Sequence, residues 1–129
     1  MLGSFENGNP YIEIEVSGAS GEKKKIKALI DTGFNGYLSL PYATAFPLGL
    51  VLRGVESSTL ADNSTSHHFV CLGRIKIGDK EVSSPIDIQP NCHALIGTQL
   101  LKALGKSMNV DFVNEKVELF DCAKFGTTY

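Results

Sequence analysis

The chain is predicted to fold as an all-β protein with one short helix near its C-terminal end, and three observations predict it. Tyr11 to Val16 alternates cleanly, with Ile12, Ile14 and Val16 on one face and Glu13 and Glu15 on the other. Turn-forming clusters, Ser17-Gly18-Ala19-Ser20-Gly21 and Gly78-Asp79, separate extended apolar stretches. Only Thr98 to Lys106 carries a convincing helical stripe, made by Leu100, Leu101 and Leu104.

The elements follow in order. After the first turn, Lys25 to Ile30 returns as a second strand, so the two form a hairpin. The run Lys23-Lys24-Lys25 beside that turn reads as a solvated hairpin end in preference to a phosphate-binding patch. Tyr37 to Leu40 is a short strand stopped by Pro41. Pro41 to Phe46 is expected to make one helical turn, with Pro41 at its first position and Pro47 ending it. Val55 to Leu60, Phe69 to Ile77 and Glu81 to Ile88 read as further strands, the last two joined at Gly78-Asp79. Ala61 to Ser66 is a polar tip between two strands, and its composition predicts a mobile, exposed loop. Met108 to Phe112 and Lys116 to Phe120 form a closing hairpin turned at Asn114-Glu115, followed by an irregular extension to Tyr129.

Composition narrows the function classes. At 129 residues the chain is read as a single domain, 1–129, with one modest core. A hydrophobic content of 43% and a charged content of 20% are ordinary for a soluble globular protein. A net charge of -2 gives no support for a nucleic-acid partner. No apolar run reaches membrane-spanning length, and Met1 to Asn7 lacks the basic start and apolar core of a signal peptide. Cys71, Cys92 and Cys122 are an odd, widely spaced set, which fits reduced thiols, and a cytoplasmic location is expected.

Asp31-Thr32-Gly33 is the strongest chemical signal. The apolar run Ala28-Leu29-Ile30 delivers a carboxylate into a tight Gly turn, close to backbone N–H groups. Such a placement is costly unless the charge is used. Asp-Thr-Gly also suits a plain turn, but a turn Asp does not usually follow three apolar residues of this kind. Other chemistries are weaker. His67, His68, Cys71, Cys92 and His93 show no metal-ligand spacing, and His67 and His68 should point to opposite faces of a strand, so no metal site is expected. A Cys–His nucleophile pair, using Cys71 or Cys92, is weaker than cysteine packed as a small hydrophobe. No nucleophile elbow, phosphate loop or dinucleotide fingerprint is present, and no cofactor is expected. Ala28-Leu29-Ile30 is echoed by Ala94-Leu95-Ile96, which fits two related halves each sending an apolar strand to the centre.

From about Tyr11 to Phe120 the chain resembles the retropepsin-like aspartic proteases. Ala28-Leu29-Ile30-Asp31-Thr32-Gly33, the later Leu95-Ile96-Gly97, the Leu-rich helix after it and the polar loop between them carry the resemblance. It implies a closed-barrel-like acid-protease domain acting as a homodimer, with one Asp31 from each copy. By the same resemblance, Asp31 is the catalytic acid, and Thr32 hydrogen-bonds across the dimer to lock the two active-site loops. Gly33 brings its backbone toward substrate. Leu60 to Ser64 is the start and tip of a flap, and Leu95-Ile96-Gly97 packs behind the catalytic loop. Substrate contacts are expected from Phe34, Asn35, Ala61, Asp62, Asn63 and Ile96.

Two positions depart from the family pattern. Many retroviral members pair an acid and an arginine where this chain has Asn35 and Thr98, both neutral, so bracing must come from neutral hydrogen bonds or other contacts. The flap tip is polar where glycines are usual. The implied activity is that of an aspartic endopeptidase acting on a peptide or protein. A catalytically weak or inactive dimeric peptide-binding module of the same fold is the alternative, and a purely structural dimer is a third reading. Asp111 resembles the acid that recurs near the family's C-terminal hairpin and is read as structural.

Overall fold

The computed structural model describes residues 1–59, 61–90 and 93–122. Its strands are β1 (Ser4–Glu6), β2 (Asn9–Ser17), β3 (Lys23–Ile30) and β4 (Leu38–Pro41). Helix α1 (Tyr42–Ala45) and a 3-10 turn (Phe46–Leu48) come next, then β5 (Val51–Thr59), β6 (Thr65–Ile77), β7 (Lys80–Gln89) and β8 (Leu95–Ile96). Helix α2 (Thr98–Ala103), β9 (Lys106–Asp111) and β10 (Lys116–Asp121) complete the order. Among the described residues, no helix is long and apolar enough to cross a membrane.

Alternation in β2 works as expected: Ile12, Ile14 and Val16 are all at most 1% exposed. Ile26, Ala28 and Ile30 of β3 join them in the core. The two strands pair in antiparallel register, with Glu15 opposite Lys25 and Glu13 opposite Lys27, and Lys23 to Lys25 face solvent at the hairpin end.

The main sheet closes on itself. Its order runs β1-β2-β3-β8-β4-β7-β6-β5, and β2 also pairs with β6 through Val16 and Ile75. The strands β2, β3, β8, β4, β7 and β6 therefore form a ring, the closed-barrel arrangement that the sequence resemblance implies. The Ala-Leu-Ile echo acquires a meaning here. Leu29 pairs with Leu95 and Ile30 with Ile96 in parallel, so the two echoed segments lie side by side. On its other side β8 pairs antiparallel with β4, so it is threaded between the two strands that flank the Asp31 turn. Leu38, Ser39 and Leu40 of β4 are consequently buried on both faces.

The structure departs from three expectations and adds one strand. The C-terminal helix ends at Ala103, not Lys106, because Gly105 takes a positive φ of 63° and its N–H bonds the Lys102 carbonyl, turning the chain into β9. Its apolar stripe survives: Leu100 and Leu104 are buried and Leu101 packs against the core. Helix α1 begins at Tyr42 with Pro41 as its extended cap, and Pro47 lies inside the 3-10 turn that follows. Thr65 and Ser66, expected in the polar tip, belong to β6, because Thr65 pairs with Thr59. Strand β1 is an addition, joined to β2 by Asn7-Gly8, both at positive φ. Leu60, Cys92 and the extension beyond Cys122 lie outside the described residues.

Candidate active site

Asp31 begins the turn immediately after β3. Its backbone N–H donates to the Ile96 carbonyl at 3.0 Å, which extends the β3–β8 pairing by one residue. Its own carbonyl accepts the Phe34 N–H at 3.1 Å, and its Oδ1 accepts the Gly33 N–H at 2.9 Å. The acid is thus half-buried and fixed at both backbone and side chain. Among the described residues no lysine, arginine or histidine forms an ion pair with it. Thr32, Gly33 and Asn35 are exposed beside it, and Phe34 is half-buried.

The loop is braced by neutral hydrogen bonds, as Asn35 and Thr98 require. The Thr98 N–H donates to the Phe34 carbonyl at 2.9 Å and the Gln99 N–H to the Gly36 carbonyl at 3.1 Å. The Gly97 N–H reaches the Tyr37 carbonyl at 2.9 Å. The first turn of α2 therefore spends otherwise orphaned N–H groups on the loop that carries Asp31. Gly97 packs behind the Asp31 loop, as the resemblance implies, and Gly36, to which the sequence reading gives no role, is the backbone that it meets.

Ile96 does not belong among the substrate contacts. Its side chain is 0% exposed, so it serves the site from behind, through its carbonyl and its packing. Ala61, Asp62 and Asn63 sit exposed at the end of the β5–β6 hairpin. The tip has internal order: Asp62 Oδ1 accepts the Ser64 N–H and hydroxyl, which holds the Asp62 carboxyl below its ordinary value, while Asn63 takes a positive φ of 65°. Asp111 is structural: its carboxylate accepts the Val113 and Asn114 N–H groups and the Asn114 amide, capping the β9–β10 turn.

One cluster escaped the sequence reading. His68 on β6 faces Glu56 on β5 and Asp87 on β7, residues too far apart in the chain for any spacing rule to connect them. Burial pushes the Asp87 carboxyl up, His68 opposes this, and Glu56 adds to it. His67 points the other way, as expected, with its Nδ1 2.8 Å from the Ser57 hydroxyl.

This architecture, a closed ring of strands with an acid turn braced by a threaded strand and a helix, is the retropepsin-like fold. In particular, it matches the protease of EIAV complexed with the inhibitor HBY-793 with a TM-score of 0.60 at 15% identity, covering 79% of this chain and 93% of that one. It also matches the protease of Simian Foamy Virus (mac) with a TM-score of 0.55 at 17% identity, covering 73% and 93%. At these identities the likeness is one of fold. No family model matches the chain, and no curated protein matches it.

Proposed function

We propose that the chain is an aspartic endopeptidase whose active unit is a homodimer, with one Asp31 from each copy and no cofactor. The observation that carries this reading is the placement of Asp31: a carboxylate fixed by its own turn and by Ile96, unpaired with any cation among the described residues. One such acid cannot act as general base and general acid together. Two carboxylates brought within hydrogen-bond distance cannot easily both ionise, so the pair holds one proton. The ionised member takes a proton from water as it attacks the peptide carbonyl, and the protonated member gives its proton to the carbonyl oxygen. The protons belong to the pair and not to either residue.

Exposure supports the same reading. Thr32, Gly33 and Asn35 face solvent around Asp31, so a second copy can approach on a two-fold axis.

The test is proteolysis of an unstructured protein substrate from mildly acidic to neutral pH, with and without a statine-type inhibitor, for the wild type and Asp31→Asn. Inhibitable cleavage that vanishes in Asp31→Asn, while the variant still folds, is expected. Specific activity should also fall on dilution through the dimer dissociation constant. Undiminished cleavage by Asp31→Asn overturns the catalytic assignment. Tight inhibitor binding without any cleavage would instead identify a peptide-binding module.

A further inference from the structure

The cluster of Glu56, His68 and Asp87 lies on a different part of the sheet and stands independently of the peptidase reading. Its assembly depends on an irregularity in β5. Leu52 pairs with Cys71 but Gly54 pairs with Val70, so Arg53 is an extra residue bulged out of the ladder. Without that bulge Val55 would oppose His68; with it Glu56 does. Asp87 opposes Val70, and Val70 shares a sheet face with His68 two residues away. Three neighbouring strands therefore converge on one imidazole.

The distances are informative. His68 Nε2 stands 3.7 Å from Glu56 Oε2 and 3.6 Å from Asp87 Oδ1, and the three donor atoms all lie within 4.8 Å of one another. Those separations are too long for hydrogen bonds. They approach the spacing of ligands around one small cation, since metal–ligand bonds of about 2.1 Å at a tetrahedral angle put ligand atoms about 3.4 Å apart.

We propose that Glu56, His68 and Asp87 form a binding site for a first-row divalent cation of the zinc type. One imidazole with two carboxylates is a donor set that suits zinc better than magnesium or calcium, which favour oxygen alone. The side chains of His68 and Asp87 are 15% and 24% exposed, and no lysine or arginine pairs with either carboxylate among the described residues. A depression of about 440 Å³, lined by Glu56 and Asp87 with Arg53, Gly54, Val70 and Pro85, lies against both carboxylates and leaves room for water beside them. Among the described residues Arg53 forms an ion pair with neither carboxylate.

Calorimetric titration of the full chain with zinc chloride tests this, using His68→Gln, Asp87→Asn and Glu56→Gln, each checked for folding by circular dichroism. One zinc per chain is expected, with affinity lowered about tenfold or more by His68→Gln and by Asp87→Asn. Zinc should raise the melting temperature of the wild type more than that of those variants at the same zinc concentration. Excess magnesium should fail to displace it. The cysteines, His67 and His93 remain in every variant, so zinc held by them would bind all variants equally. Such equal binding, absence of binding to the wild type, or displacement by magnesium overturns the proposal. If His68→Gln or Asp87→Asn does not fold, Glu56→Gln, whose side chain is 67% exposed, carries the same tenfold criterion.

Discussion

Gly97 approaches Gly36 so closely that a β-carbon on Gly97 would overlap the Gly36 carbonyl oxygen and come within 2.8 Å of the Phe34 carbonyl. Both obstacles are backbone, and both carbonyls already accept hydrogen bonds from the start of α2. The loop that carries Asp31 and the helix that braces it can therefore meet only at a residue without a side chain.

Gly97→Ala follows directly from this contact. Neither backbone can yield without breaking its hydrogen bonds, so the substitution should destabilise the fold by about 1–3 kcal/mol, as overpacking does. The displaced loop should also lower any activity. Urea unfolding of wild type and variant measures the first effect, and equal midpoints would show that the contact relaxes freely.

Thr32→Ala addresses the proposed dimer. Thr32 is exposed beside Asp31, where a hydroxyl can bond the partner loop. Both copies carry the change, so two symmetry-related bonds, each worth about 0.5–1.5 kcal/mol, are lost, and the dimer dissociation constant should rise about fivefold to a hundredfold. Cleavage should recover at high protein concentration. Sedimentation equilibrium reads the constant, and an unchanged value removes Thr32 from the interface.

The β5–β6 tip is proposed to close over an extended peptide. Because Thr59 and Thr65 already pair, residues 60–64 can be replaced by Asn-Gly, a two-residue hairpin turn, without disturbing the strands. The fold should survive while the Michaelis constant rises or cleavage is lost. Hydrogen exchange in the wild type should slow at the tip when a peptide-like inhibitor binds. Unchanged kinetics together with unchanged exchange would leave the tip an ordinary hairpin end.

Acid should loosen the C-terminal hairpin. The Asn114 amide and N–H groups hold the Asp111 carboxyl below its ordinary value of 3.8. The unfolded chain then binds more protons, so this contribution is full above that value and is lost as pH falls through the lowered folded one. Asp111→Asn should remove that part of the acid sensitivity. Thermal melts of both proteins between about pH 5 and pH 2 provide the comparison, and parallel profiles would show that the cap does not couple to folding.

Local features were legible because they depend on neighbours in the chain. The two-residue period of Tyr11 to Val16 marks a buried face whatever strand lies beside it, and an apolar run ending in Asp-Thr-Gly marks a carboxylate held in a turn. The stripe of Leu100, Leu101 and Leu104 marks α2, while its end is set by Gly105 and not by the stripe. The motif places Ile96 in sequence beside the residues that frame Asp31, but a motif does not say which way that side chain points. Its direction, into the core, is set by packing between β3 and β4.

The sequence by itself determined the cores of the main strands, where the Asp31 turn lies and which faces seek the core, while the edges of β5 and β6 and all of β1 came only with their pairing. The tertiary structure alone decided that β8 enters between β3 and β4, that β2 and β6 close the ring, and that the bulge at Arg53 sets Glu56 against His68 and Asp87. The reason is physical. An alternating pattern records which side of a strand avoids water, but every apolar strand offers the same backbone donors and acceptors to any partner. Partner and register are chosen only when the whole core packs, and sites assembled from separate strands come into being with that choice.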